Sequence, residues 1–232
     1  MARLFAAVSI EYLEAASAVV LATPLTMACW TKLTTTAAYR AIMGISNGGA
    51  EYFGLHHYGT WDGQVIARTR SEVSDQQARS TAFITDTDWH HTCAVFSAVD
   101  ARAAYLDGGD KGVNSDSSTP AGIDRTQIGT CGGEDEIDGI VAYPAIWNCA
   151  LTDAEVLSLA LGKFPWQVRP ESLVAYWPLG DDIRDHVGQY HMTAYNSPIW
   201  TPHPPQMPNT KRRLWHRGLP ATNLFKGHEV FR

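Results

Sequence analysis

The sequence predicts an all-β protein, a sandwich of two antiparallel sheets with one short helix and an extended C-terminal arm. Apolar and polar residues alternate over many short segments, which is typical of strands in a sheet. Clusters of Gly, Asn and Asp separate these segments, for example at residues 46–49 and 107–110. The 232 residues also include 19 Gly, 12 Pro, eight Trp, nine Tyr and seven Phe, a composition that favours strands joined by tight turns.

The strand candidates follow one another through most of the chain. The clearest is Leu25–Leu33, which places Leu25, Met27 and Cys29 on one face and Thr26, Ala28 and Trp30 on the other. Further candidates are residues 39–45, 51–57, 64–67, 81–84, 89–95, 102–106, 125–129 and 137–147. The Asp107-Gly108 step predicts a tight hairpin. The alternation predicts that Trp89, Val95, Leu106, Ile128 and Ile146 are buried between the two sheets.

One helix is predicted after the main run of strands. Thr152 and Glu155 have the spacing of a capping box, and Gly162 is placed to end the helix. A last strand is expected over residues 173–179, and residues 191–195 form a further short candidate. We therefore divide the chain into a sandwich domain at residues 1–196 and an arm at residues 197–232.

The arm differs from the rest of the chain in composition. It is rich in Pro at its start, and residues 203–232 carry six Lys and Arg against one acid, a net +5 beside −11 for the first 202 residues. Large apolar side chains accompany these charges, which a disordered tether normally lacks. We expect Arg212, Arg213, Trp215 and Phe225 to dock on other copies of this chain and on a neighbouring structural protein.

Charge and apolar patterning exclude several classes of function. The net charge of −6 argues against nucleic acid as a partner, and no apolar run is long enough for membrane insertion. The acids Glu11 and Glu14 interrupt the apolar start of the chain early, so we expect no cleaved signal peptide. Four widely spaced cysteines without metal-binding spacing predict free thiols, which suits assembly in a cytoplasm.

Several motifs, in this order, resemble the concanavalin A-like, laminin-G-like family. They are Trp89-His-His91, Tyr105-Leu-Asp-Gly108, Ile128-Gly129 and the segment 137–152, which begins Ile-Asp-Gly and ends Ala-Leu-Thr before the helix. The resemblance covers about residues 10–180. It implies a jelly-roll sandwich in a family that mostly binds sugars or proteins, with calcium in some members. Compact members that continue into a short tail also resemble structural proteins of tailed phages.

These observations together predict a non-enzymatic structural protein of a virion surface, a capsid decoration or tail-associated subunit that is assembled in the host cytoplasm. Recognition of a cell-surface glycan is an additional expectation. The first alternative is a free-standing or secreted lectin, which would be extracellular. The second, disfavoured alternative is a glycoside hydrolase or lyase.

Candidate sites follow from the same residues. Tyr58, Trp61 and Asp62 form the predicted glycan-binding loop, since flat rings beside an acid suit a sugar. Glu136 and Asp138 match two carboxylates of a glycosidase strand motif, but Ile140 or Val141 stands where the third is needed, so no catalytic residue is predicted. No cofactor or metal is predicted either. A calcium site at Glu134 and Asp135 is a disfavoured alternative. His90 and His91 point to opposite faces of one strand, so we expect one packed and one exposed.

Overall fold

The computed structural model describes residues 2–59, 63–133 and 135–201. The strands in these ranges are β1 (Ala2–Phe5), β2 (Tyr12–Ala15), β3 (Leu25–Leu33), β4 (Arg40–Ser46), β5 (Tyr52–Tyr58), β6 (Gln64–Ser71), β7 (Ser74–Arg79), β8 (His90–Ala98), β9 (Ala101–Leu106), β10 (Gly109–Asn114), β11 (Arg125–Ile128), β12 (Gly139–Trp147), β13 (Leu173–Tyr176), β14 (Thr193–Tyr195) and β15 (Ile199–Thr201). The helix α1 is Asp153–Ala160, and short 3-10 turns lie at Ala7–Ser9, Pro165–Gln167 and Pro170–Ser172. No helix of the described ranges is long and apolar enough to cross a membrane.

The strands form two antiparallel sheets that pack as a jelly-roll sandwich, which confirms the predicted fold class. One sheet has eight strands in the order β10-β9-β8-β3-β12-β1-β15, with β13 also paired to β12. The other has seven strands in the order β14-β2-β11-β4-β5-β6-β7. The edge strand β15 pairs with β1, and the division of the chain at residue 196 stays a prediction.

The main core lies between the sheets, and the alternation in β3 predicts its contribution correctly. The side chains of Leu25, Met27 and Cys29 enter this core, as do Leu106, Ile128 and Ile146. Because alternate residues of a strand point to opposite faces, Ala28 and Trp30 lie on the outer side of the eight-stranded sheet.

Two of the predicted core positions are wrong. Val95 is buried, but on the outer side of the eight-stranded sheet, beneath α1. Trp89 is only partly buried and packs against Trp30 and Ala142 on that same outer side. The physical reason is a second apolar layer, formed where α1 covers the sheet. A strand with apolar residues on both faces does not indicate which face meets the other sheet.

The helix begins as its sequence predicts. The Thr152 hydroxyl accepts a hydrogen bond from the Glu155 amide, and the Glu155 carboxylate accepts one from the Thr152 amide at 2.7 Å. Val156 and Leu159 turn inward and pack on the eight-stranded sheet. Gly162, with a φ of 103°, follows the last turn and ends the helix.

The Asp107-Gly108 hairpin is confirmed between β9 and β10. Both residues have positive φ, 54° and 75°, as a two-residue turn of this handedness requires. The Asp107 carboxylate accepts from the His91 amide at 2.8 Å and contacts His90 Nδ1 at 2.9 Å. The turn therefore holds the two histidines of the Trp-His-His motif in place.

The two histidines differ from the expected pair of one packed and one exposed. His91 is buried, and the centre of its ring lies 5.4 Å from that of Trp30 in an edge-to-face arrangement. His90 is half-buried between two acids, with Nε2 3.0 Å from Asp86 and Nδ1 against Asp107. Although burial opposes it, the charges and hydrogen bonds of these acids hold the pKa of His90 above its usual value. The ion pairs explain why the His90 ring is not free in solvent, whereas the His91 ring is packed against Trp30.

All four cysteines are free thiols. Cys29, Cys93 and Cys131 are buried, and Cys149 is half-buried. Burial raises the pKa of the Cys29 thiol to about 12, so this group stays protonated.

Candidate functional site

A cleft lies at one end of the sandwich, where four elements of the seven-stranded sheet begin or end. In the antiparallel register, β5 ends at Tyr58 and β6 begins at Gln64 opposite it. The start of β4 and the end of β7 lie at the same end, since Arg40 pairs with His57 and Arg79 with Ile66. The cleft encloses about 480 Å³ and is lined by Thr36, Ala37, Gly59, Gly63, Phe83, Ile84 and Thr85.

Two glycines allow the loops of this cleft to approach each other. A Cβ on Gly59 would lie 2.2 Å from the carbonyl oxygen of Thr36, so only glycine fits beneath that loop. Gly63 has a φ of 66°, and a Cβ there would lie 2.6 Å from the carbonyl oxygen of Ile84. The Ile84 amide donates to the Gly63 carbonyl at 2.7 Å, which fixes the opposite wall.

An aromatic and cationic group stands beside the cleft on the outer face of the seven-stranded sheet, the face directed away from the main core. The Tyr58 ring contacts the Tyr39 ring edge-on at 5.6 Å. The Arg79 guanidinium lies 4.5 Å from the centre of the Tyr58 ring, and its Nη2 donates to the Gln77 side-chain oxygen at 3.1 Å. The guanidinium is thus held over the ring by a cation–π contact.

The same face continues into a rigid network around Arg68. Its guanidinium lies 5.6 Å from the Tyr39 ring and 5.5 Å from the Tyr52 ring. It donates to both oxygens of Asp75, at 2.8 and 2.6 Å, and to the Tyr39 hydroxyl at 2.7 Å. Burial alone would lower the pKa of Arg68, but the bidentate pair with Asp75 raises it above its usual value. The hydrogen bond and the cation–π contact from Arg68 thereby hold the Tyr39 side chain in place.

His56 fills the space between the two tyrosines of this network. Its ring lies 5.4 Å from that of Tyr39 and 5.6 Å from that of Tyr52, and only 1% of the residue is exposed. A Cβ on Gly54 would lie 2.2 Å from His56 Nε2, so the glycine makes room for the ring. Burial lowers the pKa of His56 to about 3, and the group is a neutral packing element at neutral pH.

The predicted glycan-binding loop is described only in part. Tyr58 lies directly before the cleft-lining Gly59, while Trp61 and Asp62 lie outside the described residues. Their role in binding stays a prediction. The sequence did not predict the part of Arg79, Phe83 and residues 36–37 in this site. They come close to Tyr58 through the pairing of strands and not through local sequence.

The predicted arm residues and part of the calcium candidate also lie outside the described ranges. These are Arg212, Arg213, Trp215, Phe225 and Glu134. Asp135 has a φ of 59°, and its carbonyl oxygen accepts from the Ala41 amide at 2.6 Å. Within residues 2–59, 63–133 and 135–201, no three His, Cys, Asp or Glu side chains are grouped so that they could hold a metal ion.

One of the two acids of the glycosidase-like motif, Asp138, has structural contacts. Glu136 and Asp138 precede β12, which begins at Gly139, so they do not lie on one strand face. Asp138 Oδ2 accepts from the Thr34 hydroxyl at 2.6 Å, and its backbone carbonyl accepts from the Thr34 amide at 3.0 Å. These bonds tie the segment before β12 to the end of β3.

A second aromatic surface lies on the opposite side of the molecule, next to α1. Phe164 and Trp166 stack at 4.4 Å, and Trp166 is 47% exposed. Tyr143 and Tyr176 extend this group at 5.7 Å from Phe164 and 5.3 Å from Trp166, respectively. The neighbouring depression along Trp30 is nearly filled by side chains, so this surface offers a ring but no open cleft.

Comparison with known proteins places the chain in a family. The sequence profile described as the concanavalin A-like lectin/glucanases superfamily matches residues 10–157, more than half of the chain. No curated protein matches the chain significantly.

Several solved structures share the fold. A native heptameric SAP-like pentraxin from Limulus polyphemus has a TM-score of 0.56 at 18% identity, covering 82% of this chain and 87% of that one. A putative carbohydrate binding protein from Bacteroides ovatus has a TM-score of 0.58 at 18% identity, covering 85% and 60%. The CBM40 of the Ruminococcus gnavus IT-sialidase, bound to α2,3-sialyllactose, has a TM-score of 0.52 at 14% identity, covering 61% and 84%.

At these identities the solved structures show the fold alone, whereas the profile match shows the family. The matched segment runs from the entry into β2 to the middle of α1 and so includes most strands of both sheets. It also contains every motif on which the resemblance rests. The chain therefore belongs to the concanavalin A-like lectin/glucanase superfamily.

Proposed function

We propose that this protein is a non-catalytic glycan-binding module, with its binding site in the cleft beside Tyr58. The observation that carries the proposal is an open cleft of about 480 Å³ with an aromatic ring and a guanidinium at its edge. Clefts of this size hold ligands of a few rings. The described superfamily and the carbohydrate-binding names of similar structures support the same ligand class.

The cleft offers the two kinds of contact that sugars use. The apolar face of a pyranose packs on an aromatic ring, a role open to Tyr58 and to the half-exposed Phe83. Sugar hydroxyls need polar partners, and Thr36 and Thr85 carry hydroxyls in the lining. Trp61 and Asp62 stand between Gly59 and Gly63 in the sequence, and we propose that they complete the site.

The proposed binding is non-catalytic because hydrolysis needs two carboxylates on either side of the scissile bond. The described lining residues of the cleft include no Asp or Glu. Glu136 and Asp138 lie in the segment before β12, where the Asp138 carboxylate accepts a hydrogen bond from the Thr34 hydroxyl. Some similar structures are parts of glycosidases, so the test must also measure hydrolysis of the bound glycan.

A glycan array with the full-length chain tests the proposal. Tyr58→Ala is expected to weaken binding by about tenfold or more, since stacked aromatic contacts contribute on this scale. Tyr195→Ala is the matched control, because Tyr195 lies on β14 at the other edge of the same sheet. Equal binding by wild type and Tyr58→Ala, or no binding to any glycan, would contradict the proposal. Release of reducing sugar from a bound glycan would instead support the alternative function as a glycoside hydrolase.

A specific observation favours a second function that is compatible with the first. The edge strand β15 exposes 61% of Ile199 and 47% of Trp200, directly before the positively charged arm. An exposed apolar edge strand is a template for pairing with another chain. We propose that this edge and the arm join the module to copies of itself and to a neighbouring structural protein, as on a virion surface assembled in the host cytoplasm.

Truncation tests this second function. Removing the residues after Pro202 leaves β15 in place and deletes Arg212, Arg213, Trp215 and Phe225. We expect a smaller oligomer by light scattering and loss of incorporation into particles. If the truncated chain has the same mass in solution and incorporates normally, the arm has no assembly role. The module would then be a free-standing, extracellular lectin.

A further inference from the structure

The guanidinium of Arg79 is placed beside the cleft without an acidic partner. Arg79 is exposed, and in the described ranges no Asp or Glu oxygen lies within 4 Å of its side chain. Its one side-chain hydrogen bond goes to Gln77, and its guanidinium lies over the Tyr58 ring. Several N–H donors are therefore available at the edge of the cleft.

The chain has enough acidic residues to pair with its arginines, so a shortage of acids does not explain why Arg79 has no acidic partner in the described ranges. The chain has 24 Asp and Glu against 18 Lys and Arg. Two other arginines on the same sheet are paired, Arg68 with Asp75 at 2.6 Å and Arg125 with Asp124 at 2.8 Å. In an acidic protein, an exposed guanidinium that is held over a ring beside a cleft, with no acidic partner in the described ranges, is a local attraction for an anion.

A second arginine begins a strand at the same end of the sheet. Arg40 follows the loop that contributes Thr36 and Ala37 to the lining, and it begins β4. Its Nη1 donates to the Glu136 carbonyl at 3.3 Å, while its buried Nε has no hydrogen-bond partner in the described residues. A buried donor without a partner is unfavourable until an acceptor reaches it.

We propose that the cleft selects acidic sugars, and that Arg79 binds their carboxylate. The planar guanidinium matches the two oxygens of a carboxylate, while the ring that supports it, Tyr58, packs against the sugar. Arg40, at the start of β4, adds positive charge at the same end of the sheet. This inference rests on the proposed glycan-binding function and names the ligand class of the same site.

Matched pairs of acidic and neutral sugars test the inference by calorimetry on the full-length chain. The pairs are sialyllactose with lactose, a galacturonic acid trisaccharide with its methyl ester, and a glucuronic acid disaccharide with its methyl ester. We expect at least one acid to bind about 10- to 100-fold more tightly than its neutral partner, the range of a charged hydrogen-bonded contact. The preference should shrink as salt rises.

Variants of Arg79 test whether this residue causes the preference for acidic over neutral sugars. Arg79→Gln is expected to bind the acid no more tightly than the neutral sugar. Arg79→Lys keeps the charge but not the planar fork, so part of the preference should remain. Arg184→Gln is the matched control, since Arg184 is a solvent-exposed arginine paired with Asp182 in another loop. Thermal unfolding of each variant checks that the fold is kept.

The outcomes separate this inference from the function on which it rests. If wild type binds every neutral sugar as tightly as its acidic partner, or if Arg79→Gln keeps the preference, the acidic-sugar inference is wrong and glycan binding stands. A preference for sulfated sugars over all three acids would also overturn the carboxylate assignment. If no sugar binds at all, the proposed glycan-binding function itself fails.

Discussion

Asp185 is the side chain on which we expect the loop between β13 and β14 to depend most. Only 6% of the residue is exposed. Its Oδ1 accepts from the amides of Tyr176 and Val187 at 3.0 and 2.9 Å, and its Oδ2 from those of Gly188 and Tyr190 at 3.0 and 3.2 Å. One carboxylate thus satisfies four backbone donors and fixes the end of β13.

The cost of removing this carboxylate follows from its four bonds. The Tyr176 amide is fully buried, so leaving it without an acceptor costs about 1–3 kcal/mol. The other three donors are partly buried and recover some bonding from water, at a loss of about 0.5–1 kcal/mol each. Asp185→Ala should therefore destabilise the protein by roughly 2.5–6 kcal/mol, or about 5–24 °C in Tm for a chain of this size.

Urea unfolding followed by tryptophan fluorescence measures this change. Trp177 is a suitable reporter, since it is buried in the main core and donates to the Tyr190 carbonyl at 2.8 Å. Asp182→Ala is the control, because Asp182 is half-exposed and its ion pair with Arg184 is worth less than about 1 kcal/mol. A loss for Asp185→Ala that is no larger than for Asp182→Ala would refute the reasoning.

Three further predictions concern stability. The raised pKa of His90 means that its ion pairs with Asp86 and Asp107 stabilise the fold fully below the ordinary histidine pKa of about 6.5, and that this stability is lost as pH rises through the higher folded value. The unfolding free energy of wild type should fall over that range, whereas His90→Gln should show a flatter pH dependence. Gly108→Ala should cost about 1–3 kcal/mol by urea unfolding, because φ is 75° and the new Cβ would lie 2.6 Å from the Cβ of a helix residue. Thr152→Ala should cost about 1 kcal/mol in the same assay through loss of the helix cap, and a change below about 0.3 kcal/mol would contradict that role.

Local chemistry made parts of this fold predictable from the sequence. The Asp107-Gly108 turn requires positive φ at both positions, a demand that few residue pairs meet. The Thr152 to Glu155 cap is likewise decided within four residues. In both cases the signal is complete before any tertiary contact forms.

Features that depend on distant elements could not be read in the same way. Val95 is apolar in an alternating strand, but its burial under α1 depends on a helix almost sixty residues later in the chain. Arg79 reaches Tyr58 only because β5, β6 and β7 pair in one register. Neither residue has a neighbour in sequence that marks its role, so the sequence predicts a candidate binding loop but not the cation beside Tyr58.

The central claim is that the cleft beside Tyr58 binds glycan, and mapping the bound sugar by NMR tests it most directly. A titration of the full-length chain with a glycan selected on the array should shift the amide signals of Gly59, Gly63 and Thr85. Residues of the opposite aromatic surface, such as Trp166, should not respond. Shifts centred on Trp166, with the Gly59 and Gly63 signals unchanged, would contradict the account and move the site to the surface beside α1.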